Sequence, residues 1–154
     1  MTCFIPRAVS PWFSPRAGLA LAAWLMLACV TPAQARCGGE LPIRSRLQLE
    51  GTGGLQLAFA PRPAPIPVNK PVVLDIVLCA PPGQALPYTL GIEAEMSGSH
   101  WPMGKRISVR PLGGGRFTAE GLVFSKAGYW KLNFKLPPAV GMAGMQLSQE
   151  VEAR

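Results

Sequence analysis

The chain has 154 residues, with 15 Lys and Arg against 8 Asp and Glu, four cysteines and one histidine. That length suits one domain, and a lone histidine excludes blue copper, which needs two imidazoles and a thiolate, and leaves a tetrahedral zinc site short of ligands. The formal charge of +7 is scattered with no run of five cations, so it does not build a nucleic-acid patch.

The first 35 residues read as an export signal. Arg7 and Arg16 give a positive start, and residues 17–30 form an apolar stretch of signal-peptide length that is short for spanning a bilayer. Ala33 and Ala35 then stand in the A-x-A arrangement of a cleavage site. The two arginines are not adjacent, so no twin-arginine signal is present. The expected mature domain is 36–154, with 13 Lys and Arg against 8 Asp and Glu, a net of +5. It is expected in the periplasm or outside the cell. Retention as an anchor, or lipidation at Cys29 in the sequence LMLAC, is the lesser alternative.

Two cysteines remain after cleavage, Cys37 and Cys79. In an oxidising compartment they can pair; two free thiols, or Cys37 joined to a partner, are the other arrangements. The chain has no C-x-x-C, so thiol-exchange chemistry is not expected.

From residue 46 the apolar pattern has period two, that of half-buried strands. Leu47 and Leu49 alternate with polar residues, GTGG at 51–54 turns the chain, and Leu55, Leu57 and Phe59 point one way, giving a hairpin. Prolines at 61, 63, 65, 67 and 71 make 60–71 an extended edge or connection, because proline cannot donate to a ladder. Residues 72–80 are apolar on both faces apart from Asp75, as in a central strand. Leu90, Ile92, Ala94 and Met96 share a face, opposite Glu93 and Glu95; those two glutamates are expected to be solvated or to pair with the basic strand 105–110. Ile107 and Val109 point inward. Phe117 and Ala119 do the same, after which the phase slips at Glu120–Gly121 to Leu122 and Phe124, the signature of a bulge. Trp130, Leu132, Phe134 and Leu136 form the cleanest stripe, and Met145, Leu147 and Val151 close the chain. The pattern predicts an all-β chain: an antiparallel, immunoglobulin-like sandwich of seven or eight strands, with a closed barrel as the alternative.

At 88–136 the sequence resembles the YtkA-like domain family, related to FixH. The resemblance is carried by Met96, His100, Pro102 and Met103 in one loop, then Gly115, Phe117, Gly121, Leu122 and Phe124, then Gly128, Trp130 and Leu132. It covers about fifty residues and implies an exported immunoglobulin-like domain. Relatives include accessory proteins of copper-oxidase assembly, and often carry more histidines in the loop where this chain has His100 alone.

The loop MSGSHWPMG at 96–104 is the candidate site. Cu(I) prefers thioethers and imidazole, and Met96, His100 and Met103 offer S, N and S within eight residues. Trp101 can shield a bound cation with its ring face. The set resembles that of small periplasmic copper carriers, and Met142 and Met145 would join it if their loop folds nearby. The plainer reading gives Met96 to the core, Trp101 to a cap and His100 to solvent. Ser97 and Ser99 beside His100 belong to turn chemistry, with no nucleophile motif around them, so a binding domain and not an enzyme is expected. Its partner is either Cu(I) or, with the loop purely structural, an envelope or membrane complex met by the proline-rich edge 60–71.

Overall fold

The computed structural model describes residues 36–98, 101–103, 106–139 and 143–154. The expected signal segment 1–35, with Cys29 and Ala35, lies outside the described residues, as do His100 and Met142; of Trp101 and Pro102 only the backbone is described.

Among the described residues, nine strands build two antiparallel sheets. They are β1 (Leu47–Glu50), β2 (Gln56–Arg62), β3 (Pro71–Cys79), β4 (Gly91–Met96), β5 (Trp101–Pro102), β6 (Ser108–Gly113), β7 (Arg116–Val123), β8 (Gly128–Leu136) and β9 (Met145–Ala153). One sheet has the order β1-β2-β3-β7-β6 and the other β5-β4-β8-β9. Among the described residues neither sheet closes on itself or joins the other through a continuous ladder, so the fold is a sandwich and not a barrel. The strand beyond the expected count is β5, two residues inside what reads in sequence as loop.

The core is the sum of the period-two stripes. Leu57 and Phe59 of β2, Leu74 and Ile76 of β3, and Phe117 and Ala119 of β7 meet Ile92 and Ala94 of β4 and Trp130, Leu132 and Phe134 of β8. Phe59 and Phe134 bridge the sheets with ring centroids 5.0 Å apart. Phe124 and Trp130 make an edge-on contact at 5.4 Å, and the Trp130 indole N–H donates to the Lys126 carbonyl at 3.0 Å. That bond satisfies the polar atom of the largest fully buried side chain.

Two irregularities have local causes. Val72 faces Leu122 and Leu74 faces Ala119, so Glu120 and Gly121 together oppose Val73: a β-bulge. Gly121 has φ +89°, and a Cβ there would lie 3.0 Å from the Arg106 carbonyl oxygen. Pro61 is buried within β2, beside Leu74 of β3. It is tolerated because β1 begins only at Leu47, opposite Phe59, so no partner needs its missing N–H.

The second face of β2 is not solvated. Ala58, Ala60 and Val77 form a satellite cluster with Cys37 and Leu41 from the segment 36–45. That segment is fixed by the disulfide Cys37–Cys79, with Cα atoms 5.8 Å apart. Gln48 Nε2 and Arg46 Nη1 donate to the Cys37 and Gly38 carbonyls at 2.7 and 3.0 Å. A short sheet face made of alanines lets the segment approach closely: a Cβ on Gly38 would come within 2.4 Å of the Ala58 Cβ.

The disulfide spans 42 residues of sequence, and loop-closure entropy on that scale amounts to about 4 kcal/mol. Urea unfolding of a Cys37→Ser/Cys79→Ser variant is therefore expected to show a loss of that order, mirrored by reductant in the parent; equal midpoints for the two proteins would contradict the assignment. Gly115 makes a sharper local test. It has φ +76°, and a Cβ there would sit 2.4 Å from the Leu78 carbonyl oxygen and 2.8 Å from a Leu86 methyl. Gly115→Ala is expected to cost at least about 2 kcal/mol in the same assay, whereas Gly113→Ala, with open space around it, costs only its backbone strain.

Candidate functional site

The β4–β5 hairpin brings the two ends of the candidate loop together. Met96 is paired with Trp101 and Glu95 with Pro102, and the Met103 N–H donates to the Ala94 carbonyl at 2.8 Å. Met103 thus stands opposite Ala94. Residues directly opposed in a ladder share a sheet face, and so do alternate residues of one strand. Met96 and Met103 therefore occupy diagonal positions on the inner face, and both are partly buried against the main core. The residues between them include the loop that carries His100, which lies outside the described residues.

Neighbours shape the two methionines differently. Met96 pairs on its other side with Trp130, and its terminal methyl lies 3.4 Å from where a Cβ on Gly128 would be; glycine there leaves room for the thioether. Met103 borders a cavity of about 340 Å³ lined by Ile92, Ala94, Glu95, Ile107 and Asn133 among others. Met96 borders a second, of about 230 Å³, with Glu95, Ser97, Gly98, Lys131 and Glu150.

Met145 is not part of this end. It pairs with Leu136, six positions along β8 from the Trp130 that faces Met96. At the rise of a strand that is roughly 20 Å. Its sulfur lies 2.8 Å from where a Cβ on Gly51 would be, at the β1–β2 turn. The expectation that Met145 could join the ligand set is thus corrected: the β8–β9 register sends it to the opposite rim.

The outer face of the same sheet carries a polar ladder that no sequence motif announces. The Ser148 hydroxyl donates to Asn133 Oδ1 at 2.7 Å, and Asn133 Nδ2 donates to Glu95 Oε1 at 3.3 Å. Ser97 donates to Glu150 Oε1 at 2.6 Å, and Lys135 to Glu93 Oε1 at 2.6 Å. Glu93 and Glu95 thus find partners within their own sheet. Of the basic segment 105–110, Lys105 lies outside the described residues, Arg106 borders the same cavity as Glu93 and Glu95, and Arg110 of β6, in the other sheet, bonds Glu120. Asp75, the polar residue of β3, is held by the Arg62 guanidinium through both carboxylate oxygens. That bond, and then the carboxylate's charge, raise the Arg62 pKa further.

Among the described residues, no three His, Cys, Asp or Glu side chains converge as a metal-binding group. A hard-cation site built on Glu95 and Glu150 is also disfavoured, since Lys131 stands between them in the ladder and supplies a competing positive charge.

No family model matches the chain, and no curated protein does, so the YtkA-like resemblance rests on its motif residues alone. The fold has solved counterparts. A DUF4426 family protein from Pseudomonas aeruginosa aligns with a TM-score of 0.52 at 10% identity, covering 72% of this chain and 96% of that one. A copper-bound variant of FetP from uropathogenic Escherichia coli aligns at 0.49 with 11% identity, over 69% and 93% of the two chains. As-isolated FetP of the same strain, recombinantly expressed in the periplasm of Escherichia coli, aligns at 0.48 with 11% identity, over 70% and 95%. At such identities the first likeness speaks to the sandwich fold alone, and the two FetP alignments are too loose to extend it.

Asn133 is the buried centre of the ladder, 7% exposed. Asn133→Ala removes the acceptor of the exposed Ser148 hydroxyl and the donor to the half-buried Glu95, and is expected to cost about 1 kcal/mol. Lys135→Ala, at an exposed ion pair, is expected to stay within about 0.5 kcal/mol. Chemical denaturation of the two variants side by side checks the ordering.

Proposed function

We propose that the protein is an exported, non-enzymatic binding domain that holds Cu(I) at the β4–β5 hairpin, through the thioethers of Met96 and Met103 and the imidazole of His100, with Trp101 shielding the ion. The observation that carries this reading is the register of the hairpin, which places both methionines on one face at one rim, on either side of the loop that bears His100. Two soft neutral donors and one borderline donor suit a monovalent soft cation and discriminate against Mg²⁺ or Ca²⁺. Thioethers bind at any pH, so the proton competes only at the imidazole. Export is supported by the leader sequence and by the Cys37–Cys79 disulfide, a bond typical of oxidising compartments. A domain that buffers or hands on Cu(I) needs affinity and an exit path; in this reading the three soft donors would supply the first and their place at the rim the second.

Titration with Cu(I) under anaerobic conditions, against a chromophoric competitor, is expected to show one equivalent bound. His100→Ala/Met103→Ala should weaken binding by at least tenfold. Because a protonated imidazole cannot ligate, affinity should fall as the pH drops through the ordinary histidine range near about 6.5, and this slope should vanish in His100→Ala. Parent-like binding by the double variant would refute the site.

A further inference from the structure

The β9 edge of the sheet, two strands across from Met96, carries a second feature whose argument does not rest on the copper reading. A cleft of about 600 Å³ opens where the edges of the two sheets diverge, between the start of β1, the proline-rich segment after β2 and the end of β9. Its apolar lining includes Leu47, Pro61, Ile66 and Val151. Ile66 and Val151 are fixed in place: Ile66 bridges to Ala153, and the Arg154 N–H donates to the Ile66 carbonyl at 2.9 Å. The wall is thus built by backbone bonds, not by a loose loop.

Three guanidinium groups line this cleft: Arg44, Arg46 and Arg154. None is in an ion pair with any described residue. Arg46 spends one N–H on the Gly38 carbonyl at 3.0 Å, and Arg44 and Arg154 are exposed. Two carboxylates share the lining, Glu150 and Glu152; Glu150 is already the acceptor of the Ser97 hydroxyl. The balance at the cleft is positive, over an apolar floor. Beside it runs β1, which is the edge of its sheet and, among the described residues, pairs only with β2, so its outer amide and carbonyl groups can pair with an added strand.

We infer that this cleft docks an extended acidic peptide segment of a partner protein. The segment would lie along β1, with carboxylates against Arg44, Arg46 and Arg154 and alternate apolar side chains over Leu47, Ile66 and Val151. The period of a strand fits the arrangement, since side chains alternate between floor and rim. Guanidinium is suited to carboxylate because its planar N–H fork can bind both oxygens at once. A folded acidic surface could reach the exposed Arg44 and Arg154 but could not follow the β1 edge into the cleft.

The test uses the full chain purified after export and a fluorescein-labelled nonapeptide alternating glutamate with valine. Fluorescence anisotropy is expected to show saturable binding that weakens with added salt, at least tenfold tighter than for the peptide in which glutamine replaces glutamate. Arg44→Glu/Arg154→Glu, folded by the criterion of an unchanged thermal transition, should lose at least tenfold. Arg116→Glu, an equal charge change outside the cleft, should stay within twofold. Equal affinity for the glutamine peptide, or for the double variant, overturns the proposal. So does binding to anionic phospholipid vesicles that depends on Arg44 and Arg154 while the peptide fails to bind, which would assign the surface to a membrane. Loss of Cu(I) uptake in His100→Ala/Met103→Ala has no bearing on any of these outcomes.

Discussion

Trp130, Leu132, Phe134 and Leu136, every second residue of β8, are each 3% exposed or less, and their contact with the opposite sheet is the interaction on which the remaining geometry depends. Phe134 reaches Phe59 across the sandwich and Trp130 reaches Phe124. Burying one large aromatic side chain contributes about 1.5–3 kcal/mol, and a slip of one residue would turn this whole stripe to solvent. The register of β8 is therefore strongly specified. Its neighbours β4 and β9 inherit that register, and with it the placement of every polar group on the outer face.

The functional geometry follows from this inheritance. Because Met96 is paired with Trp130, the β4–β5 hairpin and its His100 loop sit at the Trp130 end of the sheet. Because Met145 is paired with Leu136, the last methionine is carried to the other end. The same pairing sets Asn133 between Glu93 and Ser148, within reach of Glu95, and Lys131 between Glu95 and Glu150. Beyond β8, the edges of β1 and β9 diverge around the proline-rich segment, whose Ile66 bridges to Ala153, and leave the arginine-lined cleft. The copper hairpin and the cleft thus flank the same end of one sheet, where Trp130 pairs with Met96 on one side and Val151 on the other and Glu150 borders a cavity at each.

Much of the fold was legible in the sequence because period-two patterning reports burial directly. The hairpin at 47–59, the central strand around Asp75, the bulge at Glu120–Gly121 and the stripe of β8 are all read from side-chain alternation, and a phase slip at a glycine has few other causes. The disulfide was open in sequence and is resolved by proximity, Cys79 ending the central strand beside the segment that holds Cys37. What the sequence could not convey is pairing between distant strands. Nothing near Glu93 indicates that Lys135 is its partner, nor anything near Met145 that Gly51 lies beneath it. The second burial on the outer face of β2 was hidden too, because Ala58 and Ala60 are ordinary in either environment. Arg44 and Arg154 stand 110 residues apart in the chain, and only the meeting of two sheet edges brings them to one cleft.

Carbon-13 spectra of the protein labelled at its methionine methyl groups, recorded as Cu(I) is added anaerobically, test the central claim most directly, since the fold divides the methionines between two rims. The Met96 and Met103 resonances are expected to shift together and saturate at one equivalent, with Met145 unmoved. A shift of Met145 in step with them, or no shift of Met96 and Met103 at all, would contradict the link drawn between strand register and copper binding.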